Sequence, residues 1–227
     1  MPKVKDEYID QKRKSIVEAA FRVCLQKPIA SIEMTDIIKE TGFSHGTIYQ
    51  YYKSSDEIFR DMVIKINREN RMNEKINLIL ESEKSCDWKK TVKKICAGLS
   101  ENLVETGCGV LKIAIYSNSL ALTDPERALC ISKKLGEENQ SPLLFLIETL
   151  KKYLKKVVRE NSLRPSKSIE QILQFFAASY QGILTGYVLS ENYKSDYLAG
   201  RFKPKEMFSC LAESVILMLS CEPEVKK

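Results

Sequence analysis

The chain has one histidine, His45, and no C-x-x-C pair among its seven cysteines. That scarcity leaves no basis for a Cys/His metal site. The cysteines are odd in number, irregularly spaced and mostly set in apolar stretches, so they read as reduced thiols acting as small buried hydrophobes. No run of about 18 apolar residues occurs, and no membrane span is expected. The N-terminus, MPKVKDEYIDQKRK, is polar and acid-containing, unlike a secretory leader, so a cytoplasmic protein is expected. There is no glycine-rich nucleotide loop and no Ser/His/Asp constellation, so the chain reads as neither an enzyme nor a cofactor carrier. Alternating strand patterns, internal repeats and low-complexity tracts are also missing.

What remains is helical periodicity. The 227 residues suffice for one large or two small domains with an ample core. The net charge of +6 suits an anionic partner, but its distribution matters more than its sum. Residues 1–60 hold ten Lys/Arg against nine Asp/Glu, and the excess falls in later pairs such as Lys89-Lys90, Lys93-Lys94, Lys151-Lys152 and Lys155-Lys156. Those pairs recur at helical spacing and read as solvated faces.

A first helix is expected from Asp6 to Gln26, burying Ile16, Ala19, Ala20 and Val23 and stopped by Pro28. Residues 31–59, SIEMTDIIKETGFSHGTIYQYYKSSDEIF, are the most informative stretch. Gly42 can take the left-handed conformation that ends a helix, and Ser44 is placed to cap the next. That next helix, His45 to Tyr52, is short and polar. At about 100° per residue, Ile48 and Tyr52 share one side, with Gly46, Thr47, Gln50 and Tyr51 opposite and His45 and Tyr49 flanking. Apolar on the partner side and polar on the other, it reads as the recognition helix of a helix-turn-helix that enters a DNA groove. Gly46, costly in a helix by about 1 kcal/mol against Ala, fits a backbone brought close to DNA.

Ser54-x-x-Glu57 caps a fourth helix, expected to run past Ile79 as a connector. Beyond it, Ser85 or Asp87 opens a helix to Val104, and a break at Thr106–Gly109 precedes an apolar segment, Val110–Leu122. Asp124-Pro125 and Ser141-Pro142 open two more helices, the latter reaching Glu160. Ser168-x-x-Gln171 caps a helix to Ser190, a polar loop spans Glu191–Lys203, and a last helix runs from Pro204 to Leu219. On Ser168–Ser190, Phe175, Ala178, Ser179, Gly182 and Gly186 share one face, opposite Phe176, Tyr180, Ile183 and Tyr187. With Phe208, Leu211 and Val215 of the last helix, the small-residue face suits half of a four-helix dimer interface, or else close packing within one subunit.

Ile37, Gly42, Ser44, Gly46, Thr47, Ile48, Tyr49, Tyr52, Ser54, Glu57 and Phe59 stand in the order and spacing of the TetR family of bacterial transcriptional regulators, which residues 31–59 resemble. The layout is similar too: all-α, with a helix-turn-helix DNA-binding domain over residues 1–53 and a connector plus effector-binding and dimerisation domain over 54–227. The resemblance implies a homodimer on a near-palindromic, double-stranded DNA operator and an effector pocket in each subunit. It implies that His45, Gly46, Gln50 and Tyr51 approach bases, and that Thr47, Tyr49 and Lys53 hold phosphates. For the pocket, Tyr116, Phe145, Phe176 and Tyr180, with Asn118 as a polar contact, are the candidates for a largely apolar small molecule. Three positions depart from the family pattern. His45 stands where Lys or Arg is usual, Ser55 replaces a common Lys, and Glu33 occupies a Ser/Thr cap.

The expected function is a ligand-responsive regulator, in first place a repressor. A second reading is a helical lipid- or acyl-group-binding protein with a vestigial DNA-binding motif, which the basic runs and apolar interior would suit.

Overall fold

The computed structural model describes residues 2–82, 87–133, 141–192 and 202–220, and these form helices only. Ser85, Cys86 and Cys221, and most of the Glu191–Lys203 stretch, lie outside the described residues. The helices are α1 (Pro2–Gln26), α2 (Met34–Thr41), α3 (His45–Tyr51), α4 (Ser55–Glu69), α5 (Met72–Ser82), α6 (Trp88–Thr106), α7 (Cys108–Thr123), α8 (Pro125–Lys133), α9 (Pro142–Glu160), α10 (Ile169–Asn192) and α11 (Pro204–Ser220). They group into two compact units, Met1–Glu69 with Gly109–Gln140, and Asn70–Cys108 with Ser141–Lys227.

The first unit is built around α1. Ile16, Ala19, Ala20, Val23 and Cys24 follow the i, i+3, i+4, i+7 rule and are buried against Ile37 and Ile38 of α2, Ile48 of α3 and Ile58, Phe59 and Met62 of α4. Helix α1 ends at Gln26, two residues before Pro28, as the pattern required. Ile113 and Leu120 of α7 join the same core, so α7 and α8 belong with the N-terminal helices although residues 70–108 separate them in sequence. Two polar ties reinforce this. Lys112 Nζ donates to the Leu25 carbonyl at 3.0 Å, near the end of α1. Arg127 Nε donates to Asp56 Oδ1 at 2.8 Å, in the first turn of α4. The sequence reading cuts the chain after Lys53, whereas packing keeps α4 with the three helices before it.

The connector is not continuous. Helix α4 stops at Glu69 and α5 starts at Met72, because Asn70 Oδ1 accepts the Met72 N–H at 2.8 Å. A short side chain that captures a backbone donor offers the chain an alternative to the helix. Periodicity carries no sign of this, since the apolar residues stay in phase across the break.

Helix α2 solves its missing cap from within. Glu33 stands at the N-cap, and its own N–H donates to Asp36 Oδ2 at 2.9 Å. Asp36 also pairs with Lys27 Nζ at 2.7 Å, tying α2 to the end of α1.

In the second unit, α6 lies against α5 and α11, and α10 against α9 and α11. Val92, Ile95, Cys96, Leu99 and Leu103 of α6 and Phe208, Leu211, Ala212, Val215 and Leu219 of α11 are buried. Tyr180 and Phe208 meet with ring centroids 6.0 Å apart, and the Tyr180 hydroxyl reaches Met72 Sδ at 3.7 Å. Burial pushes the Tyr180 phenol up to about 12, and the Cys24 and Cys96 thiols likewise to about 12. Such thiols are poor nucleophiles, as expected of packing residues. Asp87 caps α6 by accepting the Lys90 N–H at 3.1 Å, and Ser168 and Gln171 cap α10 reciprocally. Helix α10 is long and apolar enough to cross a membrane by length and composition. Here Ile172, Leu173, Phe176, Tyr180, Ile183, Leu184 and Val188 are buried within the protein.

The brace at α2 carries a pH signature. The hydrogen bond from Lys27, then that from the Glu33 backbone, hold the Asp36 carboxyl below the usual carboxylate range. A folded-state value below the unfolded one, about 3.9, contributes stability above that pH, and the contribution fades as pH falls through the folded value. Asp36→Asn is therefore expected to lower the urea midpoint at pH 7, and the gap to the native chain should close progressively below about pH 4. A gap that stays constant from pH 7 to pH 2 would contradict this.

Candidate nucleic-acid interface

The turn between α2 and α3 is three residues, Gly42-Phe43-Ser44. Gly42 ends α2 in the left-handed region, φ 69° and ψ 9°, and its N–H donates to the Ile38 carbonyl. Any other L-residue there meets a steric cost of about 1–2 kcal/mol. Ser44 is extended, accepts the Thr47 N–H at 3.2 Å and shares a 2.8 Å hydrogen bond with the Thr47 hydroxyl. The turn thus aims α3 while satisfying the groups that helix ends leave open.

Two residues of α3 and its cap hold it in place. Ile48 and Tyr52 are 0 % and 1 % exposed. The Tyr52 hydroxyl donates to Asp61 Oδ2 of α4 at 2.9 Å, and burial first, then Asp61, raises its pKa well above the ordinary phenol range. From α1, Arg13 donates to the Tyr51 carbonyl at 3.1 Å with its guanidinium 5.0 Å from the Tyr52 ring, and Lys12 Nζ lies 4.2 Å from the Phe43 ring centroid. Neither Lys12 nor Arg13 stands out in the sequence, where they look like one more basic pair on a polar helix face. Their position one turn before Ile16 is the only available signal.

The outward edge is His45, Gly46, Tyr49 and Gln50, all exposed, with Lys53 exposed just beyond the helix. Thr47 is half-buried and its hydroxyl is engaged by Ser44. Tyr51 departs from the helical-wheel expectation. It is half-buried and packs against the first-unit core, because α3 ends there and Tyr52 turns into extended backbone. Gly46 has open space where a Cβ would stand. Nothing inside the protein requires glycine at that position.

The remaining candidates are scattered. Tyr116 packs on the first-unit core with Lys112 Nζ 5.6 Å from its ring, and Asn118 is exposed on the same helix. Phe176 and Tyr180 are buried in the second unit, and only about 10 Å³ of space remains beside Phe176. Phe145 alone lines a roomy cleft, about 600 Å³, between α5, α6 and α9. Tyr116 and Asn118 belong to the first unit, and Phe145, Phe176 and Tyr180 to the second. Aromatic residues at helical spacing mark core as readily as a cavity, and here core won.

The dimer-face candidates divide as well. Phe175, Ala178 and Gly182 are exposed, Ser179 is half-exposed, and a Cβ on Gly182 would meet open space. Gly186 instead admits Phe202 of the same chain, whose ring occupies the place an added Cβ would need. Phe208, Leu211 and Val215 are buried within the chain and have no surface for a second subunit, which corrects their assignment to an interface. Periodicity reported that α11 needed covering but not that α6 covers it.

A glycine-ended helix, a three-residue turn and a capped short helix with a buried rear and a polar front define a helix-turn-helix DNA-binding domain. Residues 16–62 match the family of bacterial regulatory proteins described as tetR. The HTH-type transcriptional regulator YfiR of Bacillus subtilis is 23% identical over 195 residues, covering 86% of this chain and 89% of that one. Solved structures share the fold. GusR of Salmonella enterica has a TM-score of 0.62 at 12% identity, over 93% of this chain and 96% of its own. The fatty acid degradation regulator FadR of Bacillus halodurans has 0.61 at 14%, over 92% and 94%. Residues 16–62 thus match the family of bacterial regulatory proteins described as tetR, and the chain shares its fold with solved regulators of that kind.

Gly46→Ala separates folding from recognition. Helix propensity favours the alanine by up to about 1 kcal/mol, so the melting temperature should hold or rise. A backbone that approaches DNA closely would lose at least about tenfold in affinity, roughly 1.4 kcal/mol. Unchanged binding in a fluorescence-anisotropy titration would show that Gly46 does not face the groove.

Proposed function

We propose that the protein is a ligand-responsive, sequence-specific repressor that binds a near-palindromic operator as a homodimer. The observation that carries this reading is the exposed edge His45-Gly46-Tyr49-Gln50 on a helix locked from behind by Ile48 and Tyr52. His45, Gly46 and Gln50 would read base edges, and Tyr49, Lys53 and the Ser44–Thr47 cap would hold phosphates. Tyr51 contributes at most its exposed edge. Phosphate contacts set register and salt dependence, while base contacts set sequence. The intact caps and buried rear of α3 favour this over a vestigial motif in a lipid-binding protein.

The homodimer reading is supported by the exposed Phe175, Ala178 and Gly182 of α10 together with Met207 and Leu217 of α11, 38% and 69% exposed. Small residues let a partner helix approach closely, and the flanking apolar groups supply area. An effector would act by binding the operator-competent and operator-incompetent states unequally, and that difference bounds the regulatory energy.

Two measurements test the proposal. Anisotropy titrations against DNA from the protein's own promoter region should show specific binding that Tyr49→Ala with Gln50→Ala abolishes. With few cations at the helix edge, the log–log salt slope should stay shallower than about −10. Binding indifferent to sequence would overturn the regulator reading. Separately, Phe175→Glu should convert a dimer to a monomer in analytical ultracentrifugation without lowering helicity, since Phe175 is 43% exposed in the single chain. A variant that remains dimeric would exclude this face.

A further inference from the structure

The cleft of about 600 Å³ in the second unit has the size of a small-molecule site. One continuous face of α9 forms a wall, at positions 145, 149, 152, 153, 156, 157 and 160, the spacing of a full helical stripe. Leu80 of α5 and Trp88 of α6 face it, with Phe145 and Val157, to give an apolar interior. A stripe that merely faced water would not place Phe145 and the almost fully buried Trp88, 8% exposed, beside a void of this volume.

The polar groups of this cleft are unbalanced. Lys152 and Lys156 stand on successive turns, an i,i+4 pair whose side chains lie next to each other. Neither has an ion-pair partner among the described residues, unlike Lys155 next to them, which pairs with Glu170 at 3.7 Å. Among the described residues the only lining carboxylate is Glu160, one turn beyond Lys156, so that lining keeps an excess cation at its Lys152 end. Two adjacent like charges repel, and the arrangement is relieved by an anion that bridges them. Neutral Asn77, Thr91, Thr149, Tyr153 and Asn161 complete the described lining.

We infer that this cleft binds an amphipathic anion, a ligand whose apolar body lies against Trp88, Leu80, Phe145 and Val157 and whose anionic head is held by Lys152 and Lys156. The inference deepens the effector half of the proposed function and rests on it for biological meaning, but the binding itself can be measured without DNA. An apolar ligand with no charge would leave both ammonium groups unmatched, and a small inorganic anion would leave the apolar walls wet. Charge and surface together select a molecule with both parts.

Trp88 is the only tryptophan in the chain, so its emission reports on the cleft directly. With the full-length protein, decanoate below its micellar range should change that emission saturably, and decanol should bind at least tenfold more weakly. Replacing both lysines, Lys152→Ala with Lys156→Ala, should weaken decanoate at least tenfold and leave decanol unchanged. Both lysines are exposed, so the fold does not depend on them, and circular dichroism checks it. Equal affinity for decanoate and decanol, no saturable response to decanoate, or decanoate affinity that survives the double substitution would each overturn the inference. A chain that binds its operator but not decanoate refutes the anion site alone. A chain that binds decanoate but no DNA refutes the regulator reading alone.

Discussion

The seven-residue helix α3 cannot stand by itself, and the first unit is organised around keeping it in place. Two turns of helix fall well below the length at which propagation repays nucleation. Its persistence depends on Ile48 and Tyr52, which enter the core between α1 and α4, and on the hydrogen bond from Tyr52 to Asp61. Ser44 closes one end, and Arg13 holds the carbonyl of Tyr51 at the other. The recognition edge is therefore free to be chosen for chemistry. His45, Gly46, Tyr49 and Gln50 are exposed and take no part in that core.

The ion pairs around this core share one design. Lys27–Asp36 and Arg22–Glu40 join α1 to α2, Lys65–Glu18 joins α4 to α1, and Arg127–Asp56 joins α8 to α4. Each is at least partly exposed and individually worth little. Their shared effect is orientation, since they brace α2 and α4 against α1 and α8 against α4. They also account for the near-neutral charge of residues 1–60, where acids serve internal bracing while cations such as Lys53 stay outward.

The second unit shows a different economy. Helices α6, α10 and α11 bury their apolar residues against each other, which leaves Phe175, Ala178 and Gly182 on one surface and the cleft beside α9 on another. A protein that only needed to be stable would cover apolar area of this kind. Exposed small residues beside large apolar ones suit helix–helix association, while a void edged by lysines suits a charged ligand. The two features are carried by different helices, the patch by α10 and the cleft by α5, α6 and α9.

Helix boundaries were largely legible because they are local. Gly42, Ser44, Ser54, Asp87, Asp124, Ser141-Pro142 and Ser168–Gln171 all act within a few residues of themselves, by capturing a backbone donor or, at Gly42 and Pro142, by presetting the backbone. The buried rear of α3 was legible for the same reason, as a 100° rotation. The break at Asn70 was not, since it depends on one side chain choosing a backbone donor over water. Nor were the coverings of α11 and Gly186, the inward lean of Tyr51, or the return of α7 and α8 to the N-terminal core. Periodicity states that a face must be covered, but the identity of the cover depends on which helix arrives, and that is set by the whole chain at once. The sequence alone determined a helix-turn-helix and the buried rear of its second helix. Only tertiary packing decided which aromatic residues became core, which surface stayed open, and where two lysines would stand beside a tryptophan.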